Sequence, residues 1–395
     1  MTTITDPALA TSAGAGADAA AAEATGTLAV GAEAGGGSTA NAAPAGQWTH
    51  RHLLDVDVLT ADDLDLVMRT TDTMAGVLAR PIPKVPTLRG WGVTILFYEA
   101  STRTRVSFEV AAKNLSADVV NIAAATSSVA KGESLVDTIR TIEALGARLL
   151  VIRHPTSGAP YLAARHFSGG VMNGGDGWHA HPTQALLDLY TMRTHLPGGT
   201  VAGRKVVILG DVLHSRVARS NLWSLTAAGA DVWVCGPATL LRGFEAWAAA
   251  GIAGSRQFQV TSDVSDALRD ADVVMALRIQ RERMAGGLLP SLREYAARFG
   301  LTRARLALAK PEAIVMHPGP MNEGVEIAPD VAAGLQSVIT DQVANGVAVR
   351  MAVLYLLAGA RGPVAAEPGA GAGDRGAGVG DRGAEAGGRG AGAPG

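Results

Sequence analysis

Short apolar, β-branched runs alternate along this chain with stretches whose apolar residues recur at helical spacing, and few folds accommodate that rhythm. Val93-Thr94-Ile95-Leu96-Phe97 reads as a buried strand. Phe108, Ala111, Ala112 and Leu115 then fall at i, i+3, i+4 and i+7, one face of a helix. Residues 149–152, 205–209, 231–234, 273–277 and 314–316 repeat the strand half of the pattern. Residues 134–145 carry Leu135, Ile139, Ile142 and Leu145 as an apolar stripe, and 181–196 form a helix that buries Leu186, Leu187 and Tyr190. A helix at 216–228 follows, and 343–357 is a last, long apolar helix broken by Arg350. The alternation predicts an α/β fold of two doubly wound parallel-sheet domains, with ligands beyond the carboxyl ends of the strands. A chain of 395 residues is long enough for two such domains, each with its own core.

Composition trims the ends and narrows the function. Residues 1–46 and the tail from about Pro363 are rich in Ala and Gly and lack large apolar side chains, so both are expected to be disordered. A net charge of −2 and a pI near 6.5 favour neither nucleic acid nor an anionic membrane as partner. One cysteine, Cys235, in the strand-like Val232-Trp233-Val234-Cys235, rules out an intrachain disulfide and suits a reducing, cytoplasmic compartment. No basic segment followed by an apolar core opens the chain, and no uninterrupted apolar run is long enough to span a bilayer.

The polar residues worth attention cluster where strands end. After Phe97 come Tyr98-Glu99-Ala100-Ser101-Thr102-Arg103-Thr104-Arg105 and then the helix. Ser101 is a good N-cap, the first backbone N–H groups of a helix are unpartnered, and the dipole is positive there. Three hydroxyls and an Arg at that end make a phosphate cradle, though the same residues also serve simply as caps and solvated charges. No G-x-x-x-x-G-K-[ST] loop is present, so a small phosphorylated molecule fits better than a nucleotide.

Ser127-Ser128-Val129-Ala130-Lys131-Gly132-Glu133-Ser134 is a loop whose Lys131 is, on its own, a solvated charge. Arg153-His154-Pro155 ends the strand at 149–152. His181 and Gln184, three apart at a helix start, share a face and could polarise a carbonyl and orient an NH2 group. His179, His181 and nearby Asp176 also have a metal-like spacing, but no further ligand cluster completes a site. Arg216 opens a helix after Gly210-Asp211, where the G-x-G-x-x-G dinucleotide fingerprint is absent. Arg278 and Gln280 could clamp a carboxylate through paired N–H donors. His317-Pro318-Gly319-Pro320 forms a rigid turn with carbonyls free to accept. Six clusters biased to cations and hydroxyls, without a nucleophile–base pair, imply anionic ligands and direct transfer between two bound substrates.

In this order, F-Y-E-A-S-T-R-T-R, K-G-E-S, R-H-P, H-P-T-Q, G-D-x-x-x-S-R, L-R-I-Q-x-E-R and H-P-G-P resemble the aspartate carbamoyltransferase catalytic chains of the aspartate/ornithine carbamoyltransferase superfamily. The resemblance covers about residues 47–360. Glu99 before Ala-Ser-Thr, Arg153-His154-Pro155, the Arg278-x-Gln280 pair and His317-Pro318-Gly319-Pro320 resemble the aspartate rather than the ornithine branch. Met321-Asn322-Glu323 departs from the pattern, placing an acid where many relatives have an Arg.

The resemblance implies transfer of a carbamoyl group from carbamoyl phosphate to L-aspartate, an early step of de novo pyrimidine biosynthesis, with no metal or organic cofactor. It implies a carbamoyl-phosphate-binding domain at 47–196, with the helix of 334–362 packing back on it, an aspartate-binding domain at 197–333, and the active site in the cleft between them. Ser101, Thr102, Arg103 and Thr104 would hold the phosphate, with Arg153 beside them. Thr104, Arg153 and His181 would meet the carbamoyl oxygen, while Gln184 and Gly319-Pro320 would orient its NH2. Arg216, Arg278 and Gln280, with Lys131, would bind aspartate, and Glu99 would bridge Arg216 and Arg283 on closure. Ser127 and Lys131 would reach the site of a neighbouring subunit, giving a homotrimer; whether regulatory or dihydroorotase-like chains join it is left open. The alternatives are an ornithine-type carbamoyltransferase and a dinucleotide-dependent oxidoreductase.

Overall fold

Residues 93–97 are buried on both faces, and the strand they form is the spine of the first of two sheets. The computed structural model describes residues 47–123, 132–251, 258–284 and 287–360. Both tails expected to be disordered, and Ser127 and Lys131, lie outside the described residues. The first sheet contains β1 (Gly92–Phe97), β2 (Asp118–Ala123), β3 (Ala147–His154) and β4 (Gly170–Asp176), in the order β2-β1-β3-β4. The second contains β5 (Lys205–Leu209), β6 (Asp231–Cys235), β7 (Gln259–Thr261), β8 (Val273–Ala276) and β9 (Ile314–Met316), in the order β7-β6-β5-β8-β9. Every pairing within both sheets is parallel. Continuous apolar strands follow from that arrangement, since helices cover both faces.

The helices that place the site are α1 (Ala61–Leu78), α2 (Thr102–Asn114), α3 (Leu135–Ala144), α4 (Ala159–His166), α5 (Pro182–His195), α6 (Arg216–Ala227) and the C-terminal helix (Ile339–Gly359). Phe108, Ala111, Ala112 and Leu115 are all buried, so the predicted face of α2 is the packed one. Chain order does not dictate which lobe a helix joins. The C-terminal helix follows the second sheet yet packs on α1, α2 and α5 of the first.

Two sequence expectations need correction, and three strands went unread. Arg350 does not break the last helix, which runs through it; its guanidinium lies 4.9 Å from the centre of the Phe108 ring, and Nη1 donates to Gly346 O at 3.0 Å. Leu145 is not part of the packed stripe of α3: it is the C-cap residue and 81% exposed. Strands β2, β4 and β7 escaped the apolar-run reading, β4 because Gly170-Val171-Met172-Asn173-Gly174-Gly175-Asp176 is glycine-rich despite being buried throughout. The C-terminal helix is also long and apolar enough to cross a bilayer, but two thirds of that stretch is buried inside the protein.

Phe108 joins α2 to the C-terminal helix through both packing and its ring–guanidinium contact. Phe108→Ala should therefore cost about 3–5 kcal/mol in chemical denaturation, the range for an emptied aromatic site. A loss below about 1 kcal/mol would show that this junction does not hold the lobe together.

Candidate active site

A cleft of about 710 Å³ opens between the two sheets, lined from both lobes. Its floor starts at the end of β1. Ser101, extended at φ −160° and ψ 100°, caps α2: its Oγ accepts from Thr104 N at 3.4 Å and donates to Thr104 Oγ1 at 2.9 Å. Ser101, Thr102, Arg103 and Thr104 all line the cleft around this helix N-terminus, where unpartnered N–H groups favour an anion.

Arg153 enters from the end of β3, only 8% exposed. Nη1 donates to Gly174 O at 3.0 Å, and Nη2 donates to Glu99 Oε1. The same carboxylate takes Arg216 Nη2 at 2.5 Å and Arg216 Nη1 at 3.3 Å, and Arg283 Nη2 lies 3.5 Å away. Glu99, from the first lobe, thus sits among one guanidinium of its own lobe and two of the other. Burial alone would push its carboxyl up, but the hydrogen bond from Arg216 and the charges of Arg153, Arg216 and Arg283 outweigh it and hold the carboxyl low. Burial and then the charge of Arg216 push Arg153 down to about 10.

Two glycines make this crowding feasible. Gly175 has φ +113°, and a Cβ there would stand 2.8 Å from Arg153 Nη1 and 3.1 Å from Arg216 Cζ. Gly319 has φ +64°, and a Cβ there would meet Arg103 Cζ at 2.9 Å. Only a residue without a side chain suits either position.

His181 is the N-cap residue of α5 and 4% exposed. Its backbone N–H donates to Ser220 Oγ at 3.0 Å, and that hydroxyl donates to Asp55 Oδ1 at 3.0 Å. Its Nδ1, like Arg153 Nε, is buried with no hydrogen-bond partner among the described residues. Such orphaned groups are costly and mark places where a ligand belongs. Burial, then the charges of Arg153, Arg216 and Arg350, hold the imidazole well below its usual pKa, so it is neutral. Gln184 lines the cleft one turn on.

The far wall comes from the second lobe. Arg216 begins α6 behind the cap Ser215, and Nη1 also donates to Gly177 O at 3.2 Å. Arg278 and Gln280 follow β8; Arg278 pairs with Glu282, and Gln280 N donates to Asp211 Oδ2 at 3.1 Å. Arg283 Nη1 donates to Gly177 O at 3.0 Å and to His214 O at 3.3 Å. Gly319 and Pro320 close the rim beyond β9, where Gly319 N donates to His317 Nδ1 at 2.8 Å. The structure therefore brings together Glu99, Ser101, Thr102, Arg103, Thr104, Arg153, His181, Gln184, Arg216, Arg278, Gln280, Arg283, Gly319 and Pro320. His179 stays apart, paired with Asp176 at 3.2 Å.

Sequence reasoning missed Gly175, Gln342 and Arg350. The last two line the cleft from the C-terminal helix. A double glycine at a strand end and a lone Arg within an apolar helix were the available signals.

Family models match the two halves of this architecture: "Aspartate/ornithine carbamoyltransferase, carbamoyl-P binding domain" over residues 51–194, and "Aspartate/ornithine carbamoyltransferase, Asp/Orn binding domain" over 202–357. The chain belongs to the aspartate/ornithine carbamoyltransferase family. It is 57% identical over 322 residues to the aspartate carbamoyltransferase catalytic subunit of Roseiflexus castenholzii, covering 82% of this chain and 99% of that one. The corresponding subunit of Roseiflexus sp. is 58% identical over 309 residues, covering 78% and 95%. Among solved structures, aspartate transcarbamoylase from Trypanosoma cruzi in complex with carbamoyl phosphate and aspartate superposes with a TM-score of 0.69 at 29% identity, covering 80% of this chain and 99% of that one.

His181 in the cleft and His179 beside it should titrate in a fixed order. His179 is raised, by its hydrogen bond to Asp176 above all, whereas His181 is lowered. As pH falls, His179 protonates before His181. Because His181 binds a proton more readily unfolded than folded, stability is lost as pH drops below its unfolded value. Nitrogen-15 NMR of the imidazoles checks the order, and a His181 that titrates at or above His179 would contradict the site's electrostatics.

Proposed function

We propose that this chain transfers the carbamoyl group of carbamoyl phosphate to the amine of L-aspartate, giving N-carbamoyl-L-aspartate and phosphate, an early step of de novo pyrimidine biosynthesis. What carries the reading is a cleft whose phosphate cradle belongs to one lobe and whose further guanidinium groups belong to the other. Ser101, Thr102, Arg103 and Thr104 hold the phosphate at the start of α2, with Arg153 beside it. Thr104, Arg153 and His181 meet the carbamoyl oxygen and stabilise the charge that grows there in the tetrahedral transition state. A neutral His181 serves as a donor without adding another cation to a site already lined by Arg103, Arg153, Arg216, Arg278 and Arg283. Gln184 and the Gly319-Pro320 turn take the carbamoyl NH2, and Arg216, Arg278 and Gln280 take the two carboxylates of aspartate.

The aspartate nitrogen attacks the carbamoyl carbon, the bond from that carbon to the phosphate oxygen breaks, and the amine proton leaves on the departing phosphate. No protein base is required; the protein supplies proximity and a fixed electrostatic frame. Ornithine fits less well, since its α-ammonium would enter a cleft already crowded with guanidinium groups.

Ser127 and Lys131 complete the neighbouring site in a homotrimer. A native mass corresponding to a monomer would refute the trimer. The buried single thiol of Cys235 supports a cytoplasmic setting.

Carbamoylation of L-aspartate and of L-ornithine, assayed side by side, tests the central reading; preference for ornithine would overturn it. Arg153→Ala and His181→Ala should each lower kcat by about 10²–10³-fold, the usual effect of removing an oxyanion donor. Arg278→Ala should instead raise the KM for aspartate with the smaller change in kcat. Kinetics with the two patterns exchanged would reassign these residues.

A further inference from the structure

An amide offers a cleft either an NH2 donor or a carbonyl acceptor, and at Gln184 the choice is made by what lies behind it. Asp188, one turn further along α5 and fully buried, accepts from Gln184 Nε2 through Oδ1 at 2.8 Å. A carboxylate can only accept, so Gln184 must give it the nitrogen and keep Oε1 for the cleft. The same Oδ1 accepts from Gln342 Nε2 at 2.8 Å, and Gln342 Oε1 accepts from the backbone N–H of His317 at 2.9 Å. Asp188 Oδ2 accepts from Asn221 Nδ2 on α6 at 2.8 Å. One carboxylate thus joins both groups to which the carbamoyl NH2 has been assigned: Gln184 directly, and the turn of Gly319 and Pro320 through Gln342 and His317.

We infer that Asp188 is a positioning residue that fixes Gln184 as a hydrogen-bond acceptor, so that the planar carbamoyl group is held by its NH2 and only a donor bearing that NH2 is well aligned. The inference rests on the carbamoyl-transfer reading and deepens it by naming what selects the transferred group. Were Gln184 free to turn over, its NH2 would face the carbamoyl NH2, donor against donor. Acetyl phosphate, which has CH3 in place of NH2, gains nothing from the fixed acceptor.

Wild-type transfer to aspartate from carbamoyl phosphate and from acetyl phosphate is measured first; no carbamoyl transfer at all would sink the reaction assignment itself. Asp188→Ala should then lower kcat for carbamoyl phosphate about 10–100-fold, the usual cost of losing a group that orients a reacting one, with the KM for aspartate changed less than about twofold. Acetyl transfer should change less than about threefold. In a Gln184→Ala background the further change to Ala at Asp188 should cost several-fold less than in the wild type, because only its path through Gln342 and His317 to the Gly319-Pro320 turn is left to lose. Asp188→Asn should recover most of the turnover: the carboxamide oxygen can still accept from Gln184 and Gln342, and the Asn221 amide, whose Oδ1 has no partner among the described residues, can turn over to accept from the new NH2 at the cost of its Nδ2 bond to Val217 O at 3.1 Å. Equal losses for the two phosphate donors, multiplicative losses in the double variant, or an Asn variant as impaired as the Ala one would each overturn the role while leaving the reaction intact. Should Asp188→Ala fail to fold, the wild type decides: the Gln184 side-chain NH2 should exchange with solvent more slowly than that of Gln280, and equal exchange would reject the inference.

Discussion

Three guanidinium groups gathered around one carboxylate are the constraint on which this architecture depends. Arg153, Arg216 and Arg283 against Glu99 leave a net charge of +2 in a largely enclosed space. Arg103 and Arg278 stand close enough for the charge of one to disfavour the other, and Arg350 is buried nearby. The whole chain carries a net charge of −2, so this concentration is local rather than a reflection of composition. Like charges held together out of water are costly unless anions join them. Glu99 supplies one anion permanently, and two acidic substrates would supply the rest, arriving where water has been removed and each contact counts for more.

Topology explains why those groups meet. In the first sheet the chain reverses direction between β1 and β3; in the second, between β5 and β8. Open parallel sheets bind ligands at such reversals, where the loops leaving adjacent strands diverge and leave a crevice. The segment after β1 carries Glu99 to Thr104 and the end of β3 carries Arg153, while the segments after β5 and β8 carry Arg216 and Arg278 to Arg283. Both crevices face the same cleft. Residues 97–105, 153, 216 and 278–283 are far apart in sequence because each lobe must complete its central strands before the crevice exists.

That geometry also decides what could be read from the sequence. Strands such as β1 and β5 were legible because burial on both faces demands an unbroken apolar run, whereas β4 carries Asn173, Gly174 and Gly175 where backbone approach to Arg153 matters more than side-chain volume. The cations at strand ends were legible as a chemical bias. Their cross-lobe partners were legible only through the family resemblance, which paired Glu99 with Arg216 and Arg283, since nothing local to Glu99 announces them. Arg350 was misread as an interruption because a buried charge breaks an apolar pattern while leaving the helical backbone untouched. Asp188 sat unremarked within Ala185-Leu186-Leu187-Asp188-Leu189-Tyr190, since a polar residue fully enclosed by amide donors looks in sequence like an ordinary surface position.

The return of the C-terminal helix to the first sheet carries a mechanical consequence. The polypeptide passes from one lobe to the other at residues 196–204 and passes back at 337–338. A single tether would let the halves swivel and twist freely; two tethers define a line, and rotation about that line is the motion that stretches neither. Any rotation of the lobes about that line would change the width of the cavity mouth while keeping its opposing walls in register.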